Sequence, residues 1–269
     1  MGSTGADTFA TEQEELTVLI TGFSPFKKDY PVNPAWEIAS RLRDYLPPVR
    51  AKKPYSPSDP ILPPIRLLVH PEPVRVNYQV VRGLVPELWN LDSKEDAEGN
   101  TNGWGPKPTK IDFAIHIGMA GPRPFYCIER RGHRDGYALK DVDGEFLGDQ
   151  NRRVKEGKDW VWDGVPKELL SDLDVDDVLE RWKKHSPEGS DLRISEDAGH
   201  FLCDFIYFSS LAHLYKAGER RRVVFLHVPC EGSEAQLATG TGLAYQLIRS
   251  IAESEVVRRA RTRKEAHEL

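Results

Sequence analysis

The stretch Arg222-Val223-Val224-Phe225-Leu226-His227-Val228-Pro229 is a short, nearly continuous apolar run that ends in a histidine. Such a run is typical of a strand buried inside a sheet, and Ile111-Asp112-Phe113-Ala114-Ile115-His116-Ile117-Gly118 has the same character. Strand-like and helical patterns alternate around these two runs. We expect strands at 16–21, 65–70, 111–118, 191–195 and 223–228, and helices at 34–45, 76–90, 175–184, 199–217 and 235–251. This alternation predicts an α/β protein, a single three-layer α/β/α domain with a central mixed sheet flanked by helices.

The length of 269 residues is compatible with one domain that buries a large core. We expect a disordered tail at 1–13, the domain at 14–254, and a charged tail at 255–269 that is a frayed helix or disordered. Three polar or proline-rich stretches, 52–64, 91–109 and 149–166, are interpreted as insertions of unassigned role.

The composition is that of a soluble globular protein, with 39% hydrophobic residues and a net charge of -5. The pI near 5.9 gives no reason to expect nucleic acid or an anionic membrane as a partner. No apolar run approaches the roughly 18 residues of a membrane span. Three cysteines, an odd number, argue against a disulfide framework. Together with the absence of a signal-peptide pattern, these features predict a cytosolic protein.

The segment Ser195-Glu196-Asp197-Ala198-Gly199-His200-Phe201-Leu202-Cys203-Asp204-Phe205-Ile206-Tyr207 places a thiol near the start of a helix. Cys203 falls off the apolar stripe of that helix, and Ser195 or Asp197 could cap it. Backbone N–H groups at a helix start lower the pKa of a thiol, so Cys203 is a candidate nucleophile. The alternative is a small buried hydrophobic residue.

A cysteine nucleophile needs a base and a group that orients the base. His227, at the end of its strand, is the candidate base, and Glu129 is the candidate orienting group. Each has an ordinary alternative, a single structural hydrogen bond for His227 and a solvated ion pair with Arg130 or Arg131 for Glu129. Sequence order alone does not show that these side chains meet.

Several segments carry a family resemblance in the order in which the family has them. They are Thr21-Gly22-Phe23-Ser24-Pro25-Phe26, Val32-Asn33-Pro34-Ala35-Trp36, His116-Ile117-Gly118-Met119-Ala120-Gly121, Ile128-Glu129-Arg130, the Cys203 segment, and His227-Val228-Pro229. With these segments the chain resembles the pyroglutamyl peptidase I (pyrrolidone-carboxylate peptidase) family, particularly its eukaryotic branch.

The resemblance implies a cysteine omega-exopeptidase with the triad Cys203, His227 and Glu129. Such an enzyme removes N-terminal pyroglutamate from peptides through a thioester acyl-enzyme, and it requires no metal or other cofactor. Its expected partners are peptides with an N-terminal pyroglutamate. The sequence also permits a homo-oligomer.

The resemblance places Phe23 and Phe26 as walls of the pyroglutamate pocket, with Phe201 at a third wall position. Their alternative is ordinary core packing. The main chain at Met119 is expected to pair with the lactam. Asn33 is either part of the substrate site or only a helix cap, with even weight on both.

One departure concerns the oxyanion. Bacterial members carry an arginine in an element that here reads Tyr137-Ala138-Leu139-Lys140-Asp141-Val142-Asp143. Lys140 or Arg134 could substitute, although a lysine ammonium does not reproduce a guanidinium fork. The oxyanion would then depend mainly on backbone N–H groups, including that of Cys203.

Two rival functions are kept. The first is a metal site built from Cys127, His133, His227 and Cys230, whose spacing matches no known zinc pattern. The second is a non-catalytic family member that binds pyroglutamyl peptides or a protein partner.

Overall fold

The computed structural model describes residues 15–26, 31–47, 62–90, 110–121 and 123–267. The tail expected at 1–13, the insertion at 91–109 and most of the insertion at 52–64 lie outside these residues. No helix within the described ranges combines the length and the apolar character needed to cross a bilayer.

The core of the molecule is a six-stranded mixed sheet. Its strands are β1 (Leu16–Gly22), β2 (Ile65–Val69), β3 (Phe113–Met119), β4 (Tyr126–Glu129), β7 (Leu192–Ser195) and β8 (Val223–Val228), in the spatial order β2-β1-β3-β8-β4-β7. The first four strands in space are parallel, whereas β4 is antiparallel to β8 and parallel to β7. A small separate sheet pairs β5 (Arg131–His133) with β6 (Glu168–Leu170).

Helices cover both faces of the large sheet. They are α1 (Pro34–Ser40), α2 (Tyr78–Trp89), α3 (Asp149–Glu156), α4 (Val175–His185), α5 (Leu202–Lys216) and α6 (Glu234–His267). One apolar cluster joins the sheet to α1, α4 and α6, and the other joins it to α2 and α5. All residues of β1, β3 and β8 are therefore buried, which explains their near-continuous apolar sequences. The predicted three-layer α/β/α architecture is confirmed.

Several element limits differ from those predicted, each for a physical reason. The first helix ends at Ser40 because residues 44–46 instead form backbone hydrogen bonds with β2. Helix α5 begins at Leu202 rather than at 199, because Gly199 and His200 have left-handed backbones with φ of 88° and 36°. Helix α6 continues through the stretch expected to be a tail, and Glu255 within it is buried and paired with Arg220 and Arg258.

The stretch at 149–166 is a structural part of the domain. It contains α3, and its two tryptophans, Trp160 and Trp162, are buried in the cluster beside α5. Their rings lie 5.8 Å apart in an edge-on arrangement, and Trp162 also contacts Phe208 with 4.9 Å between ring centroids. The insertion therefore enlarges the apolar core on the α2/α5 side of the sheet.

Candidate active site

Cys203 lies in the first turn of α5, on the face of the sheet covered by α2 and α5. The N-cap is Phe201, which has an extended backbone and makes no side-chain capping bond. The expectation that Ser195 or Asp197 caps this helix is wrong, because the Asp197 carboxylate accepts the Gly199 N–H at 2.8 Å instead. The first-turn N–H groups of α5 are therefore without a side-chain cap, which is the arrangement that favours a bound anion.

The thiol packs closely against strand β3. A Cβ atom built on Gly118 would lie 2.8 Å from Cys203 Sγ and 2.4 Å from the Phe225 ring. Gly118 is the register partner of His227 on the neighbouring strand β8. The missing side chain at Gly118 thus lets the Cys203 sulfur approach the sheet beside the strand that carries the histidine.

His227 and Glu129 form a buried pair. His227 Nδ1 lies 2.7 Å from Glu129 Oε1, and both side chains are almost fully shielded from solvent. Glu129 ends β4, and its register partner Phe225 lies two residues from His227 on β8, so the two side chains meet diagonally on one face. The alternative of a solvated ion pair for Glu129 fails, because Arg130 and Arg131 pair with other carboxylates.

A second thiol lies beside this pair and was not predicted as part of the site. Cys127 Sγ donates to Glu129 Oε1 at 3.5 Å, and Cys127 is the register partner of His227. Burial, followed by the Glu129 charge, raises the pKa of Cys127 to about 12, so the thiol is neutral. The signal in the sequence is the spacing of two between Cys127 and Glu129, which puts both on one face of a strand.

The Cys203 thiol has a raised pKa, so the expectation that the helix start lowers it is wrong. Desolvation by burial is the largest cause of this rise in pKa, followed by the charges of Glu129 and Asp204. The residue nevertheless retains some exposed surface where it faces a cavity. Desolvation and two carboxylates outweigh the uncapped N–H groups of the first turn. The raised pKa therefore favours the protonated form of the Cys203 thiol.

Alkylation of Cys203 by iodoacetamide is expected to accelerate as the pH rises through neutrality and above it. A thiol with a raised pKa gains about tenfold thiolate per pH unit until that pKa is reached. Rates of modification measured by mass spectrometry between neutral and alkaline pH, with Cys230 as an internal reference, check this. A rate that reaches its plateau in the acidic range would contradict it.

A cavity of about 510 Å³ opens in front of Cys203 and His227, and we call it the Cys203 cavity. Its other lining residues are Phe26, Met119, Ala120, Gly121, Arg123, Leu139, Lys140, Ala198, Gly199 and Phe201. The structure thus brings together six of the residues named from the sequence: Phe26, Met119, Lys140, Phe201, Cys203 and His227. Arg123 is a charged lining residue that the sequence interpretation missed.

Phe23, Asn33 and Arg134 do not line this cavity. Phe23 is buried in the α2/α5 cluster, which matches the core-packing alternative. Asn33 uses both ends of its amide locally, donating to the Ser24 carbonyl and accepting the Ala35 N–H, so it is a helix cap. Arg134 pairs with Asp135 and lies over the Trp160 ring, away from Cys203.

The four residues considered as a metal site are not gathered at one point. Cys127 and His227 cluster with Glu129, whereas His133 clusters with His200 and Asp204, and Cys230 belongs to neither group. In the second group, buried Asp204 accepts the His133 N–H at 2.9 Å and lies 3.2 Å from His133 Nδ1. These contacts anchor the start of α5 to strand β5.

Gly118→Ala is expected to lower activity by on the order of 10²-fold, since displacing a reacting group by about 1 Å has that effect. The new methyl group would overlap with Cys203 Sγ and the Phe225 ring. The matched control is Gly83→Ala on the exposed side of helix α2, where nothing lies within 4 Å of the added carbon. That control should keep activity and gain up to about 1 kcal/mol of stability. Wild-type turnover by folded Gly118→Ala protein would contradict the placement of the thiol.

Comparisons with known proteins identify the family of the chain. The family model described as pyroglutamyl peptidase matches residues 106–261. The pyroglutamyl-peptidase 1 proteins of rat and human are each 28% identical over 218 residues, 81% of either chain. A pyrrolidone-carboxylate peptidase of Bacillus cereus is 26% identical over 214 residues, 79% of this chain and 78% of that one.

Solved structures share the fold. Pyroglutamyl peptidase I from Bacillus amyloliquefaciens superposes with a TM-score of 0.59 at 22% identity, covering 91% of this chain and 96% of that one. Pyrrolidone carboxyl peptidase from Thermococcus litoralis gives a TM-score of 0.58 at 18% identity, covering 88% and 93%. At such identities the likeness concerns the arrangement of helices and strands.

Proposed function

The chain belongs to the pyroglutamyl peptidase family, and from this premise we propose that it is a cysteine peptidase that removes N-terminal pyroglutamate from peptides. Cys203 is the nucleophile, His227 the general base and Glu129 the orienting carboxylate. The observation that carries the proposal is the buried His227–Glu129 bond of 2.7 Å, located beside the strand position against which the Cys203 sulfur packs.

The hydrogen bond to Glu129 sets the tautomer of the base. When His227 Nδ1–H donates to the carboxylate, Nε2 is left as the acceptor that can take the thiol proton. Because the resting thiol is protonated, this transfer accompanies attack on the carbonyl carbon that joins pyroglutamate to the next residue. His227 then gives the proton to the leaving amine, and water hydrolyses the thioester.

We propose that the oxyanion lies against the uncapped start of α5. The backbone N–H of Cys203 and its first-turn neighbours form a donor set without a side-chain competitor. Lys140, which lines the cavity, is a second candidate for this role. The family resemblance places Lys140 in the element where bacterial members carry the arginine.

The pyroglutamyl ring is proposed to bind against Phe26 and Phe201, with the main chain at Met119 pairing with the lactam. The two aromatic rings are 6.2 Å apart and tilted by 46°, and both face the Cys203 cavity. A flat lactam with a single N–H and a single C=O suits apolar walls and a few backbone polar groups.

Turnover of pyroglutamyl 7-amido-4-methylcoumarin tests the proposed function. We expect release of the fluorophore from this substrate and none from the prolyl analogue, which lacks the lactam carbonyl. Saturable binding of pyroglutamyl amides without release would instead support the non-catalytic alternative. If the protein neither binds nor cleaves pyroglutamyl amides, both the peptidase proposal and the non-catalytic alternative are overturned.

Phe26→Ala and Phe23→Ala form a matched pair that separates pocket from core. Phe26→Ala is expected to weaken kcat/KM by on the order of 1–2 kcal/mol, since it removes a half-buried aromatic wall, with little change in stability. Phe23→Ala should instead lower the free energy of unfolding by about 3–5 kcal/mol, because Phe23 is buried in the core. Measurements of kcat/KM and thermal melts of both variants distinguish the pocket residue from the core residue. An unchanged kcat/KM for folded Phe26→Ala would contradict the assignment of Phe26 to the pyroglutamate pocket.

A further inference from the structure

Two cations in the Cys203 cavity have no anionic partner among the described residues. Arg123 lies in the loop between β3 and β4, Lys140 lies in the loop after β5, and both are exposed. Among the residues that the structure describes, neither forms an ion pair, although Lys140 Nζ lies 5.1 Å from the centre of the Phe146 ring. Nearby arginines behave differently, since Arg130, Arg131 and Arg153 all pair with carboxylates.

The cavity wall supplies no negative charge to balance these cations. No Asp or Glu is among its described lining residues. The two carboxylates closest to the chemistry are buried behind the wall and already bonded, Glu129 to His227 and Asp204 to His133. The described lining of the Cys203 cavity therefore carries two cationic side chains and no carboxylate.

Arg123 also acts on Cys127. Burial raises the pKa of Cys127, and the Arg123 guanidinium opposes that rise. Cys127 Sγ in turn lies 3.5 Å from the Glu129 carboxylate that bonds to His227. Arg123 is thus an exposed lining residue of the cavity that also influences the thiol beside the proposed catalytic pair.

The pyroglutamyl ring offers these cations no charge to pair with, because it is a neutral lactam without a free carboxylate, although its carbonyl can accept a hydrogen bond. An anion that meets them must belong to the leaving peptide or be the transient oxyanion. We propose that Arg123 and Lys140 select substrates with a carboxylate close to the scissile bond on the leaving side, an inference that rests on the proposed peptidase function. Two sources share this chemistry: an acidic side chain directly after pyroglutamate, and the free C-terminus of a pyroglutamyl dipeptide.

The test compares kcat/KM for isosteric substrate pairs at low ionic strength. The first pair is pyroglutamyl-Glu-Ala amide and pyroglutamyl-Gln-Ala amide, which probes the side chain. The second pair is pyroglutamyl-Ala with a free C-terminus and pyroglutamyl-Ala amide. We expect an acid-to-amide ratio above one in at least one pair, roughly two- to fivefold for each exposed charge pair. Added salt should bring the ratio toward one, since the Debye length falls to about 8 Å at physiological ionic strength.

Charge variants assign the effect to the two residues. Arg123→Gln and Lys140→Gln should each lower the acid-to-amide ratio, and the double variant Arg123→Glu/Lys140→Glu should invert it below one. Lys183→Gln is the matched control, because Lys183 lies exposed on α4, on the opposite face of the sheet, and should keep the wild-type ratio. Both cavity cations are exposed, so folded variants are expected.

Three results would overturn the proposal. The first is an acid-to-amide ratio of one for the wild-type protein in both substrate pairs at low salt. The second is a ratio that the double charge reversal leaves unchanged. The third is a loss of kcat in the Arg123 and Lys140 variants that is equal for acidic and neutral substrates. The last result would assign the cations to the oxyanion. Calorimetric binding of the same four peptides to Cys203→Ala protein separates this inference from the proposed function. Preferential binding of the acids without wild-type cleavage would overturn hydrolysis alone, and equal binding of acids and amides would overturn the charge preference alone.

Discussion

Cys203→Ala is expected to abolish hydrolysis of pyroglutamyl amides, with a loss of up to about 10⁶-fold, the scale seen when a triad nucleophile is removed. The sulfur lies against Gly118, at the open start of α5 and in front of the cavity that contains Phe26 and Phe201. In the proposed mechanism, an atom at that point attacks a carbonyl whose oxyanion the uncapped N–H groups stabilise. Stability should change little, since alanine fits the same space.

The other two cysteines provide matched controls. Cys230 follows β8, is partly exposed and does not line the cavity, so Cys230→Ala should retain wild-type kinetics. The activity of Cys127→Ala should lie between those of Cys203→Ala and Cys230→Ala, because this change removes only a thiol donor to Glu129. Turnover numbers and thermal melts of the three variants are the measurements. A Cys203→Ala enzyme with substantial turnover would refute the assignment of the nucleophile.

Loss of His227 is expected to be nearly as damaging as loss of Cys203, and the two losses should not multiply. In the proposed mechanism the imidazole moves the proton that activates the thiol, so neither group would retain its function without the other. His227→Gln is preferred to His227→Ala, because an amide donor keeps a partner for the Glu129 carboxylate. An unpaired buried carboxylate would by itself destabilise the fold by about 3–5 kcal/mol.

Rates of His227→Gln, Cys203→Ala and the combined variant test this dependence. The combined variant should be no slower than Cys203→Ala alone, whereas independent multiplicative losses would show that the residues do not act as a unit. Glu129→Gln should have a smaller effect than either, since Glu129 orients the imidazole and stabilises its charge without touching substrate. A Glu129→Gln enzyme slower than His227→Gln would contradict these roles.

Local sequence predicted the elements whose pattern reflects burial on both faces. Strand β8 has the predicted limits of 223–228, and Asn33 caps a helix whose first residue is Pro34. Both follow from short-range physics, namely a continuous apolar run and a side-chain oxygen that accepts a nearby N–H. Helix ends were less predictable, because the end of α1 depends on backbone pairing with β2 and the start of α5 on two left-handed residues.

The sequence by itself determined the family, the alternation of strands and helices, and the identity of the cysteine, histidine and glutamate that the family resemblance singled out. Only the tertiary structure decided where their neighbours point. Phe23 and Phe26 are three residues apart, yet one lies in the core and the other faces the cavity. The antiparallel pairing of β4 with β8 brings Glu129 and Cys127 to His227. Burial of Cys203 in the folded protein raises the pKa of its thiol, whereas the sequence predicted a lowered pKa. Such features depend on contacts between segments about 70 to 100 residues apart, which a local pattern does not encode.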